Sequence, residues 1–65
     1  MGFIITDNNN RLWAYGDTET QSGVISFPGI CKYLMECLHP EIFTITFLTD
    51  KEVIRQVPLL EYMKG

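Results

Sequence analysis

The chain has 65 residues, enough for one hydrophobic core and too few for a second, so residues 1–65 are expected to form a single compact domain. With 46% hydrophobic and 20% charged residues, the composition is too apolar for an intrinsically disordered chain. The net charge of −3 is spread along the sequence and argues against a phosphate-binding surface, so no nucleic-acid partner is expected.

The N-terminal third of the chain predicts a β-hairpin. Residues 3–6 are β-branched or aromatic, and residues 11–15 alternate in side-chain character, as strands do. Between them, residues 7–10 are Asp and Asn, which tolerate positive φ and form turns. The alternation places Leu12 and Ala14 on one face of the second strand.

Residues 16–23 contain no apolar side chain and predict a solvated loop. A short strand is predicted at 24–27, followed by a helix that Ser26 caps and Pro28 opens. We expect this helix to end at Leu38 or His39, because the residue before a proline is disfavoured in the α conformation.

The C-terminal third predicts two further strands. Residues 42–48 alternate between apolar and threonine side chains, which is typical of an antiparallel sheet with one wet face. Residues 50–58 have two interpretations, a helix capped by Asp50 or a strand. The β-branched residues and Pro58 favour the strand. Residues 58–65 predict a short amphipathic helical turn.

The predicted fold class is therefore α+β, with a small antiparallel sheet of four to five strands in the order β-β-β-α-β-β. One helix is expected to pack on one face of this sheet.

The predicted helix has more apolar surface than one sheet covers. Its apolar arc spans about 200°, against the roughly 100° that a surface helix needs, and the excess lies at Cys31 and Met35. Two interpretations remain open for this flank. Either residues 59–63 fold across it, or it is an interface with another protein.

The two cysteines are expected to be reduced. Cys31 and Cys37 would be about 9 Å apart along a helix axis, and a disulfide needs Cα atoms within about 7 Å. Free thiols are typical of a cytoplasmic protein. The apolar run at residues 3–5 is far too short to span a membrane, and no membrane partner is expected.

Arg11, Trp13 and Tyr15 form the first candidate binding surface. If Leu12 and Ala14 face the core, these three side chains stand on the open face of the sheet, and their residue types dominate protein-binding hot spots. The opposite assignment, with the two aromatic side chains in the core, remains open because a shift of one residue exchanges the faces. We expect Asp17 and Glu19, in a rim loop that extends to residue 21, to border the surface. Cys31 and Met35 form a second candidate surface.

No catalytic, metal or cofactor site is predicted. Cys31, Cys37 and His39 lack the paired spacing of zinc ligands. Residues 7–10, an aspartate and three asparagines, begin like a calcium-binding loop. The resemblance ends there, because such a loop needs glycine where this chain has Leu12.

We therefore expect a non-enzymatic protein-binding module, an inhibitor or adaptor that docks on a larger protein and also self-associates as a homo-oligomer. In its shortness and lack of motifs the chain looks like the accessory proteins of phages and other mobile elements. Those proteins often inhibit a host enzyme, for example in counter-defence. The alternative is a protein that sequesters a small, nucleotide-like ligand in a pocket between subunits. In that case Trp13 or Tyr15 would stack on the ligand, and Arg11 or Arg55 would bind its anionic group.

Overall fold

The structure is a computed structural model that describes residues 1–19 and 26–64. Within these ranges the chain forms four strands and two α-helices: β1 Gly2–Thr6, β2 Leu12–Asp17, α1 Phe27–Met35, β3 Thr44–Leu48, β4 Val53–Pro58 and α2 Leu59–Lys64. A 3-10 turn at Pro40–Ile42 leads into β3. The predicted α+β class is confirmed.

The four strands form one antiparallel sheet in the order β2-β1-β3-β4, so β1 and β3 are central and β2 and β4 are edges. Phe3 pairs with Phe47, and Ile5 pairs with Ile45. All four side chains are buried. Paired residues of an antiparallel sheet project to the same face, so these define the core face. Ile4, between two of them, projects to the opposite side, called here the open face.

Helix α1 covers the core face. Its buried side chains, Phe27, Cys31 and Leu34, recur at the spacing of one helical face. The Ser26 hydroxyl accepts a hydrogen bond from the Gly29 backbone N–H at 3.3 Å, so Ser26 caps the helix as predicted.

Helix α1 ends at Met35, and the prediction that it continues to Leu38 or His39 is wrong. The backbone N–H of Cys37 bonds to the carbonyl of Leu34, three residues back rather than four. This tighter turn ends the helix before Pro40 forces it to end. As a result Leu38 lies outside the helix and is almost fully exposed.

The strand predicted at residues 24–27 does not form at its last two positions, because Ser26 is the helix cap and Phe27 is the first helical residue. Residues 24 and 25 lie outside the described part of the chain. The loop predicted at 16–23 begins later than expected, because Gly16 and Asp17 pair with β1 and extend the hairpin. Residues 20–23 of that loop also lie outside the described ranges.

At the C-terminus the strand interpretation of residues 53–57 is confirmed, and the amphipathic turn forms as α2. Helix α2 contacts both α1 and β4. Its first residue, Leu59, is fully buried and donates its backbone N–H to the Phe43 carbonyl at 3.0 Å.

The contact between α2 and α1 resolves the two interpretations of the helix flank. Cys31 is fully buried in the same core cluster as Leu59, and Met35 packs against that cluster half-buried. These contacts support the first of the two interpretations, in which the C-terminal segment folds across the flank at Cys31. Cys31 has no surface to offer a partner. Both cysteines are free thiols, as the sequence predicts.

Candidate protein-binding surface

A β-bulge in β2 sets the direction of the residues predicted to bind a partner. Ile5 pairs with Ala14, but the next residue of β1, Thr6, pairs with Leu12, so Trp13 is an extra residue. A bulge breaks the strict alternation of side chains along a strand. Ala14 therefore lies on the core face and Leu12 on the open face. The prediction that these two residues share a face is wrong.

Tyr15 lies on the open face, because it pairs with Ile4. Leu48 and Val53 pair with each other on the same face, across β3 and β4. Three of these apolar side chains are mostly solvent-exposed: Leu12 at 56%, Tyr15 at 73% and Val53 at 58%. The predicted exposure of Tyr15 is confirmed, while its binding role remains a prediction. The sheet patch is defined here as Ile4, Leu12, Tyr15, Leu48 and Val53.

A shallow hollow of about 340 Å³ lies within the sheet patch, with Ile4, Leu12, Tyr15 and Leu48 around it. Gly2 contributes to its floor, because it pairs with Leu48 on one side and has no side chain of its own. The missing side chain leaves a recess with a mainly apolar lining.

Uncharged polar side chains occupy the neighbouring positions of the open face. Thr6 pairs with Thr44, and Thr46 pairs with Gln56. The Gln56 amide donates a hydrogen bond to the Thr46 hydroxyl at 3.0 Å, which satisfies both groups across the strands. Asp17, at the end of β2, forms an ion pair with the N-terminal ammonium at 3.6 Å. A partner that covers the sheet patch therefore meets little unpaired charge to desolvate.

Trp13 projects to the other side of the sheet from Tyr15. Its ring packs edge-on against Phe43, with centroids 5.0 Å apart and an interplanar angle of 78°. Its indole Nε1 donates a hydrogen bond to Asp7 Oδ2 at 2.9 Å. Trp13 is 52% exposed and lies at the border of the core. The prediction that Arg11, Trp13 and Tyr15 share a face is wrong, because the bulge separates the two aromatic side chains.

The Asp7 carboxylate organises the turn that produces the bulge. Its Oδ1 accepts the backbone N–H of Asn9 at 2.8 Å and that of Arg11 at 3.0 Å, in addition to the indole bond on Oδ2. The Trp13 hydrogen bond, followed by that from the Arg11 backbone, lowers the pKa of Asp7 below its usual range. Asn10 adopts a positive φ of 61°. Residues 7–10 therefore form a turn, as the sequence predicts.

The remaining predicted site residues are dispersed. Arg11 precedes β2 at one edge of the sheet and Arg55 lies on β4 at the other, three strand spacings or about 14 Å away. One chain therefore does not bring the two arginines of the alternative ligand site together. Asp17 and Glu19 are exposed neighbours at the end of β2, where the Glu19 N–H donates to Asp17 Oδ1 at 2.8 Å.

Three residues of the sheet patch were not predicted from the sequence: Ile4, Leu48 and Val53. A signal for Ile4 is present, since a residue between two core residues of a strand must face away from that core. The position of Val53 depends on a second bulge, in β4, which local sequence does not indicate.

Comparisons of the chain with protein-family models, curated proteins and solved structures find no match. Across residues 1–19 and 26–64, no three or more His, Cys, Asp or Glu side chains are grouped so as to hold a metal ion. Neither helix in the described ranges is long and apolar enough to cross a membrane. The functional proposal therefore rests on the surfaces of the chain itself.

Proposed function

We propose that this protein is a non-enzymatic protein-binding module, an inhibitor or adaptor, that docks on a larger protein through the sheet patch. The observation that supports the proposal is a cluster of large apolar side chains on a sheet face that no described helix covers. Both helices contribute their buried residues to the core on the opposite face. The wet face of an antiparallel sheet normally carries polar residues, and a partner protein accounts for this exception.

The sheet patch offers apolar surface that contributes to the stability of a complex. Burying a leucine or valine side chain completely is worth about 1.5–3 kcal/mol, and tyrosine is enriched among binding hot spots. Because Leu12, Tyr15 and Val53 are 56%, 73% and 58% exposed, covering the remaining surface offers together roughly 3–6 kcal/mol before the costs of association are subtracted. Because those costs are several kcal/mol, polar contacts at the rim have to contribute as well.

The size of the open face favours a larger partner over a second copy stacked flat on it. Four strands of about five residues project to roughly 19 by 17 Å, or about 320 Å². A standard interface buries about 800 Å² on each partner. A larger partner that extends past the edge of β2 reaches Arg11, Asp17 and Glu19, and so enlarges the contact beyond the sheet patch.

A double variant tests this proposal. Leu12→Thr with Tyr15→Thr removes the two most accessible side chains around the hollow and keeps residues suited to strands. Tyr33→Gln with Leu38→Gln is the matched control, because those residues are of the same types, are 68% and 90% exposed, and lie outside the sheet. Both variants should retain thermal stability within about 0.5 kcal/mol, since exposed side chains contribute little to folding.

The assay is photo-crosslinking in the native cell, with a photoreactive phenylalanine analogue at position 15 or at position 33. We expect a discrete cross-linked protein from position 15 that disappears when Leu12 is also changed to threonine. Equal cross-linking from both positions, or capture from position 15 that persists when Leu12 is changed to threonine, would contradict the proposal. Light scattering at micromolar concentration gives the competing outcome. A mass of twice 7.5 kDa that falls to 7.5 kDa in the double variant would identify a second copy as the occupant instead.

A further inference from the structure

A second concavity, of about 430 Å³, lies on the helix side of the sheet. Its lining includes Phe27 from α1, Phe47 from β3, Tyr62 from α2, and Ile54 and Arg55 from β4. Its volume is within the range of about 300–1,000 Å³ that is typical of small-molecule sites. It lies on the opposite side of the sheet from the sheet patch.

Three aromatic rings form the apolar wall of this cavity. The ring centroids of Phe27, Phe47 and Tyr62 form a triangle with sides of 5.8, 5.7 and 5.6 Å. The two phenylalanines are buried in the core, whereas Tyr62 is more exposed. Contacts among rings at these distances are favourable, so the wall is held in place without a ligand.

Strand β4 brings a cation to this apolar wall, because Arg55 pairs with Phe47 and so projects to the same face. Phe47 pairs with Arg55, but the next residue of β3, Leu48, pairs with Val53, so Ile54 is an extra residue. In a regular strand the consecutive residues Ile54 and Arg55 would project to opposite faces. The bulge lets both line the same cavity.

Arg55 forms no ion pair within residues 1–19 and 26–64, where the ion pairs are Asp17 with the N-terminus and His39 with Glu41. An arginine beside an aromatic wall, without a carboxylate partner in the described part of the chain, leaves its guanidinium available to an anion. Its planar fork matches the geometry of a carboxylate, which it binds through two parallel hydrogen bonds.

We propose that this cavity binds a small molecule with an apolar body and one carboxylate. The body packs against Phe27, Phe47 and Tyr62, and the carboxylate binds Arg55. Met1 also lines the cavity, but its N-terminal ammonium is paired with Asp17. Arg55, without such a partner in the described residues, matches a monoanion better than a nucleotide, whose phosphates carry several charges. This site is separate from the sheet patch, so the result of the ligand-binding test does not bear on the protein-docking proposal.

The test is an NMR titration of the isotopically labelled protein with 4-phenylbutyrate, which has an aromatic body and one carboxylate. We expect saturable shifts of the backbone amides of Phe47, Ile54, Arg55 and Tyr62, with a dissociation constant of about 1 mM or tighter. Arg55→Gln should weaken binding roughly tenfold or more, because a charge-assisted hydrogen bond is lost. Arg55→Lys should recover part of that loss, and Arg11→Gln, at the opposite edge, should leave binding unchanged.

Two further ligands separate the contributions of charge and body. The uncharged 4-phenylbutanamide should bind more weakly than 4-phenylbutyrate by about the factor that Arg55→Gln causes. Octanoate, which has an alkyl chain in place of the aromatic ring, tests whether the site requires an aromatic body. The proposal is overturned if the amide shifts do not saturate with 4-phenylbutyrate. It is also overturned if Arg55→Gln, with an unchanged melting temperature, binds the ligand as tightly as the parent, or if the shifts are confined to Ile4, Leu12 and Tyr15.

Discussion

Replacing Leu59 with alanine should destabilise the domain far more than replacing its neighbour Leu60. Leu59 is fully buried, whereas Leu60 is 37% exposed. Truncating a buried leucine to alanine costs about 2–5 kcal/mol. A domain of this size has a total stability of only about 3–10 kcal/mol. Leu59→Ala should therefore lower the melting temperature by about 10 °C or more, and Leu60→Ala should cost less than about 1 kcal/mol.

The structural reason is that Leu59 fixes α2 over the core. Its N–H bonds to the Phe43 carbonyl, and its side chain belongs to the cluster that contains Cys31. The assay combines urea unfolding, followed by circular dichroism, with the rate at which a disulfide reagent modifies Cys31 in a Cys37→Ser background. Burial raises the pKa of the Cys31 thiol, so both limited access and a small thiolate fraction protect it. Modification should be slow in the parent and much faster in Leu59→Ala.

Two results would refute this reasoning. One is a loss of less than about 1 kcal/mol in Leu59→Ala, because truncating a buried leucine costs about 2 kcal/mol or more. The other concerns the folded Cys37→Ser protein with Leu59 intact. It is a rate of Cys31 modification equal to the rate at which Cys37 reacts in the matched Cys31→Ser variant. Either result would mean that α2 does not close the core, and the helix flank would again become a candidate interface.

Two further predictions concern the first turn. The pKa of Asp7 is lowered, mainly by the Trp13 hydrogen bond, so the ionised carboxylate stabilises the fold. This contribution is complete above the unfolded-state pKa of about 4, and it is lost as the pH falls through the lower folded-state pKa. In urea unfolding, Asp7→Asn should be less stable than the parent at pH near 6, and the difference should shrink in acid. A difference that is constant with pH, or an equal effect of Asp50→Asn, would refute this. At Asn10, whose φ is 61°, a change to valine should cost about 1–2 kcal/mol, whereas glycine should be nearly neutral. Equal melting temperatures for the two variants would contradict the strain argument.

Features that depend on neighbouring residues were predictable from the sequence. The Asp and Asn turn, the Ser26 cap and the strand before Pro58 each follow from a local pattern, and all three form. The end of α1 was not predictable in this way, because the pattern contains no stop signal until Pro40. Its early end depends on the path that the chain takes into the 3-10 turn.

The sequence pattern could not show which side chains of β2 lie on each face of the sheet, for a different reason. Alternation has a period of two, so one inserted residue reverses every assignment on one side of it. The insertion at Trp13 accompanies the hydrogen bond from its indole to Asp7, six positions earlier, a tertiary contact that composition does not report. The same limit applies to Ile54, which lines the second cavity because of a bulge opposite β3.

The open face also shows that folding alone does not require the sheet patch. Thr6, Thr44 and Thr46 lie on that same face and are compatible with the sheet, so its geometry accepts polar side chains there. Exposed Leu12 and Tyr15 add little to the stability of the isolated domain and increase its tendency to associate. On the core face, by contrast, the buried side chains of residues 1–19 and 26–64 form one cluster to which α1 and α2 both contribute. Apolar residues that the fold does not need, gathered around one hollow, are what a docking surface requires, and binding is the proposed function that accounts for them.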